Sequence, residues 1–106
     1  CGLATAYELA RRGEPAVVME RGEPFAEQSA GLARIFRIAH RRPQLCRLAQ
    51  RARSGWRRWE DEFGVTLLGR EGFIAAGAVD AVASAMTDAD ADFSWLDRHQ
   101  IAARLP

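Results

Sequence analysis

Gly2, Ala6 and Ala10 recur every four residues in a segment of good helix formers that closes on Gly13, and the apolar run Ala16-Val17-Val18-Met19 follows at once behind Glu14-Pro15. This pairing constrains the fold more than anything else in the chain. Small residues four apart stack on one stripe of a helix and let it approach a neighbouring backbone closely. Gly13 suits the left-handed position after a helix end. A short β-branched run closed by Glu20 has the composition of a strand buried in a parallel sheet. The expected arrangement is the αβ half of a βαβ unit, whose first strand is expected immediately before Cys1. The chain opens on Cys1-Gly2 rather than Met, without the charged and apolar regions of a leader. It therefore reads as a piece cut from something longer.

Downstream, residues 21–33 are rich in Gly, Pro, Ser and Ala and read as loop. The stretch Arg34 to His40 is too short for periodicity to separate helix from strand. Pro43 suits the first turn of a helix, and Leu45, Leu48, Ala52, Trp56, Trp59 and Phe63 then follow as an apolar stripe. This predicts a long amphipathic helix over Pro43–Phe63, with Gly64 as its cap. Val65 to Leu68 and Phe73 to Ala76 read as two strands of a hairpin joined by Gly69-Arg70-Glu71-Gly72. Residues 78–92 are an Ala-rich acidic helix candidate, and Leu96 to Arg104 a last short one.

The charges are unevenly spread. Residues 34–58 carry nine Arg and no acid, whereas residues 59–106 carry three Arg against nine acids. The basic stretch could be a footprint for nucleic acid. Trp56 and Trp59, however, fall in the apolar stripe instead of alternating with Arg as stacking platforms. A solvated helix face balanced by the acidic segment 78–97 is the favoured reading for all but Arg34 and Arg37. No apolar run nears the length of a membrane span. Cys1 and Cys46 fit no metal-ligand spacing, His40 and His99 have no partner ligands nearby, and no metal is expected. Cys46 reads as a small buried thiol.

The αβ half-unit has a chemistry of its own. In a dinucleotide-binding unit the pyrophosphate sits on a helix N-terminus, where unpaired N–H groups and the macrodipole favour anions, and an acid ~20 residues on bonds the ribose hydroxyls. Gly2 stands where the third glycine of such a turn would be, and Glu20 comes eighteen residues later. The first two glycines are not in the chain, so a purely structural αβ pair stays open beside a cofactor site.

The order of these elements resembles a family. Gly2-Leu-Ala-Thr-Ala6-Tyr-Glu-Leu-Ala10-Arg-Arg-Gly13, then Val17-Val18-Met19-Glu20-Arg21-Gly22, then Ser29-Ala-Gly31-Leu-Ala-Arg34-Ile-Phe-Arg37 is similar to the N-terminal part of FAD-dependent amine and amino-acid oxidases. These form the D-amino-acid oxidase superfamily, and the sarcosine oxidase and N-methyltryptophan oxidase branch looks nearest. The resemblance implies an α/β fold: a truncated Rossmann-type FAD-binding domain lacking its first strand, with a long amphipathic helix and a β-hairpin. It divides the chain into a truncated nucleotide-binding unit at 1–33, a flavin-side segment and long helix at 34–63, and a hairpin with C-terminal helices at 64–106, where the substrate side begins.

Carried over by position, Gly2 and Leu3 would close the pyrophosphate turn, Glu20 would bind the adenosine ribose, and Arg21 would lie beside the adenine end. Ser29, Ala33 and Arg34 would run past the flavin, with Arg34 as the catalytic positive charge near the isoalloxazine. Arg37 would anchor a substrate carboxylate, since its planar fork can pair both oxygens. The implied cofactor is FAD, and the implied partners are an amine or N-methyl amino acid and O2, in the cytoplasm, with no nucleic acid and no membrane. Ala30 and Ala33 stand where sarcosine-type members carry polar residues, which leaves the substrate open. The piece itself is expected to be inactive without the remainder of the enzyme. The alternatives are an Arg-rich helical interaction module, binding nucleic acid or an acidic partner, and an inactive folded remnant.

Overall fold

A computed structural model describes residues 2–24, 26, 30–31 and 34–105. The described residues form four helices, α1 (Gly2–Arg11), α2 (Pro43–Phe63), α3 (Asp80–Asp88) and α4 (Arg98–Arg104), and no strand. The chain divides into two compact units, Cys1–Arg34 and Ile35–Pro106.

In the first unit α1 ends as its sequence dictates. Gly13 takes the left-handed conformation with φ +76°, its N–H donates to the Ala10 carbonyl, and the Glu14 N–H reaches back to Leu9. This double bond pattern satisfies two carbonyls that a helix end otherwise leaves orphaned. No residue of α1 is buried, and a Cβ placed on Gly2 would meet open space. The expected strand at Ala16 to Met19 is not formed. Val17 is 90% exposed and Met19 92% exposed. A strand exists only through its ladder with a neighbour, and the described residues supply no neighbouring strand, so β propensity alone leaves this run in water.

The second unit is built on α2. Pro43 occupies its first turn behind an extended Arg42, and Gly64 caps it in the left-handed region at φ 66° with its N–H on the Glu60 carbonyl. The residues 34–40 ahead of it have no regular structure. They are tied on where the Cys46 thiol donates to the His40 carbonyl across 3.4 Å. The buried core consists of Cys46, Ala49, Ala85, Met86, Ala89 and Ala91, so α2 packs on α3 through small side chains. The stripe expected to be buried is turned partly outward, with Leu48 58% exposed. The Ala-rich face of α3 selects Cys46 and Ala49 on α2, because small residues on both helices let the backbones come close.

The Arg47 guanidinium donates to the Asp88 carbonyl (2.6 Å) and the Gln50 amide to the Asp90 carbonyl (3.1 Å). A cation thus sits at the negative end of α3, where the macrodipole favours it. Arg47 consequently has a structural role that a solvated face does not describe. Asp97 begins α4 with a capping box: its carboxylate accepts from the Gln100 N–H, and the Gln100 side chain accepts from the Asp97 N–H.

The Rossmann-type α/β fold and the β-hairpin are therefore corrected: no sheet of any kind is found among the described residues. The hairpin fails for a specific reason. The backbone N–H groups of Leu67 and Leu68 both donate to one Glu60 carboxylate oxygen, at 2.8 Å each. Donors that a ladder to residues 73–76 would use are taken by a side chain of α2 instead.

Candidate functional site

The residues singled out in the sequence divide between the two units. Gly2 and Leu3 open α1, both exposed, and the first turn of α1 contains no acidic residue. The N–H groups of that turn have no acceptor within the helix, and nothing stands over Gly2. Glu20 is exposed at the end of the 14–20 stretch, and one of its carboxylate oxygens accepts from the Gly22 N–H at 3.1 Å. Arg21 is exposed beside it, and Arg34, also exposed, closes the first unit. Ser29 and Ala33 lie outside the described residues.

Arg37 belongs to the second unit. Its guanidinium carbon stands 5.9 Å from the centre of the Phe73 ring. Nothing in the local sequence signals this contact, because it joins residues far apart in the chain through the loop that follows α2.

Two hollows lie elsewhere. One of about 310 Å³ is lined by Glu60, Asp61, Thr66 and Arg70 among others, and one of about 260 Å³ by Thr87, Asp90, Asp92 and Phe93 among others. Neither is lined by Gly2, Leu3, Glu20, Arg21, Arg34 or Arg37. In the first hollow the bonds from Leu68 and then Leu67 hold the Glu60 carboxyl below the usual carboxylate range, with smaller help from Arg57 and Arg70, while desolvation works the other way. Successive N–H groups of this kind form an anion-binding concavity, which here is filled by the chain's own Glu60. Trp56 and Trp59 meet edge to face with centroids 5.3 Å apart, and Trp59 lies against Phe63 at 6.4 Å. No group of three or more His, Cys, Asp or Glu among the described residues could hold a metal ion. No helix among them is long and apolar enough to cross a membrane.

An acid-free helix N-terminus with open space above its first glycine, and an exposed carboxylate at the end of the following stretch, are the donors and acceptor that a dinucleotide uses at its pyrophosphate and ribose. The class this chemistry points to is that of dinucleotide-cofactor proteins. The chain is matched over residues 1–106 by the family described as FAD dependent oxidoreductase, and it belongs to that family. No curated protein and no solved structure matches it. The cofactor of the family is FAD. The acid-free first turn of α1 and the exposed Glu20 carboxylate are compatible with that cofactor by their chemistry.

Proposed function

We propose that the chain is part of a cytoplasmic flavoprotein oxidase of the sarcosine oxidase and N-methyltryptophan oxidase type, acting on the C–N bond of an amine or N-methyl amino acid with O2 as acceptor. The observation that supports it is the family match over residues 1–106. The substrate class rests on the likeness of Ser29 to Arg37 to that branch.

When bound, FAD supplies acceptance of hydride from the carbon beside the amine nitrogen and return of the electrons to O2 as peroxide. The work of the chain is binding and orientation. In this reading Gly2 and Leu3 present the open N-terminus of α1 to the pyrophosphate, Glu20 accepts from the ribose hydroxyls, and Arg21 flanks the adenine end. Ser29 and Ala33 would belong to the flavin side, as the resemblance implies. Arg34 would supply positive charge beside the bound flavin. Arg37 pairs both oxygens of the substrate carboxylate in the plane of its fork.

The test is a panel of substrates offered anaerobically to the FAD-loaded enzyme, read as loss of visible flavin absorbance. Bleaching by N-methyl amino acids or amines, with peroxide on return of O2, is the expected result. Bleaching by hydroxy acids alone overturns the amine assignment, and bleaching without peroxide overturns the oxidase assignment.

A further inference from the structure

The contact between Arg37 and Phe73 carries an inference that rests on the carboxylate-anchor role proposed above. We propose that Phe73 is a positioning residue, which fixes the plane of the Arg37 guanidinium so that its edge is presented to a substrate carboxylate.

The argument is geometric. Arg37 lies on the irregular stretch ahead of α2 and its side chain is exposed. A long, exposed side chain loses substantial rotamer freedom when it must hold one orientation. The guanidinium carbon stands 5.9 Å from the Phe73 ring centre, within cation–π range. In the proposed arrangement this contact takes the face of the guanidinium. A bidentate carboxylate uses its edge, where the N–H groups point. Ring and carboxylate therefore do not compete, and a cation already held by a ring loses less freedom when the anion arrives.

No ion pair to Arg37 is found among the described residues, so its fork is not committed to an acid among them. Phe73 is itself 42% exposed and follows Gly72, whose φ of +82° is a left-handed turn. A large ring left at the surface by a glycine turn, with a cation beside it, buries too little to serve the core of α2 and α3.

Two measurements test this. In the folded chain, the resonances of the Arg37 δ-methylene and Nε–H should be displaced by the ring, returned toward free-arginine values in Phe73→Leu, and kept displaced in Phe73→Tyr. In the FAD-loaded enzyme, Phe73→Leu should raise KM for an N-methyl amino acid by about two- to fivefold, the scale of an exposed cation–π contact. The expected kcat is unchanged, as is KM for the matching amine that lacks the carboxylate. Phe73→Tyr should restore the wild-type KM, which a merely structural loss would not predict, and it keeps the test open if the Leu variant fails to fold. An unchanged carboxylate KM in Phe73→Leu, alongside a raised one in Arg37→Ala, overturns the positioning role and leaves the anchor. An unchanged KM in Arg37→Ala overturns the anchor, and the positioning role falls with it.

Discussion

The two compact units use small residues to opposite effect. In the first, Gly2, Ala6 and Ala10 form a smooth stripe on α1, yet no residue of that helix is buried. In the second, Cys46 and Ala49 on α2 meet Ala85, Met86, Ala89 and Ala91, and together these form the buried core. The stripe in α1 is the more regular of the two in sequence. A row of small side chains permits close approach, but the free energy comes from a second surface placed to use it. The second unit supplies that surface through α3 and fastens it with Arg47 and Gln50 on the carbonyls at its end. The Val17 and Met19 side chains, by contrast, remain in water.

The largest expected effect breaks this comparison directly. Met86 is the largest side chain of the buried core, and Met86→Ala should lower the stability of the second unit by about 2 kcal/mol, the low end for a large-to-Ala change in a core. Val17→Ala and Met19→Ala should each change stability by no more than ~0.5 kcal/mol, as exposed substitutions do. Urea titrations of the three variants make the measurement. Equal losses would show that the exposed run is packed in solution and that the contrast between the units is not real.

Glu60 sharpens the contrast through pH. Its folded pKa is lowered by the bonds from Leu68 and Leu67, so the carboxylate contributes stability that is fully present above the unfolded glutamate value and lost as pH falls through the folded one. Acidification through the carboxylate range should therefore release the 65–70 loop while α2 persists. Amide exchange at Leu67 and Leu68, extrapolated for intrinsic rate, should accelerate on acidification and be fast at all pH values in Glu60→Ala. Exchange protection at those two amides that survives Glu60→Ala would mean that another acceptor holds the loop.

How much of this was legible in the sequence follows from which interactions are local. α2 could be read to its ends because Pro43, the amphipathic spacing and Gly64 all lie within the element they define. The side it buries could not be, since Leu45 and Leu48 outweigh Cys46 and Ala49 in hydrophobicity, and only the shape of α3 reverses that order. The absence of the strands is not legible for the same reason. A strand is a relation between two segments, and neither Ala16 to Met19 nor the 65–76 region carries a signal of whether its donors will be taken by a neighbour, by water or by Glu60. For the candidate site, the sequence offers Gly2, Glu20 and Arg37 as candidates by residue type, but it carries no signal of the Phe73 ring beside Arg37, which a distant loop contributes.

The smallest effect compares two helix ends with one hydrogen-bond pattern. At the end of α1 the Gly13 N–H bonds Ala10 and the Glu14 N–H bonds Leu9; at the end of α3 the Asp90 N–H bonds Thr87 and the Ala91 N–H bonds Met86. The left-handed position is filled by Gly13 in the first and by Asp90, at φ 52°, in the second. An L side chain in that conformation costs roughly 1 kcal/mol more than glycine, though Asp tolerates it better than most. Asp90 also places a negative charge at the end of α3 that already carries negative dipole charge. Both terms have the same sign, so Asp90→Gly should stabilise the second unit by about 0.5–1 kcal/mol, while Gly13→Ala should fray the end of α1 by a similar amount. The Gln50 bond accepts at the Asp90 backbone carbonyl and survives the substitution. A loss of stability in Asp90→Gly, measured by the same urea titration, would mean that the Asp90 carboxylate makes a favourable contact outweighing both its backbone cost and its charge.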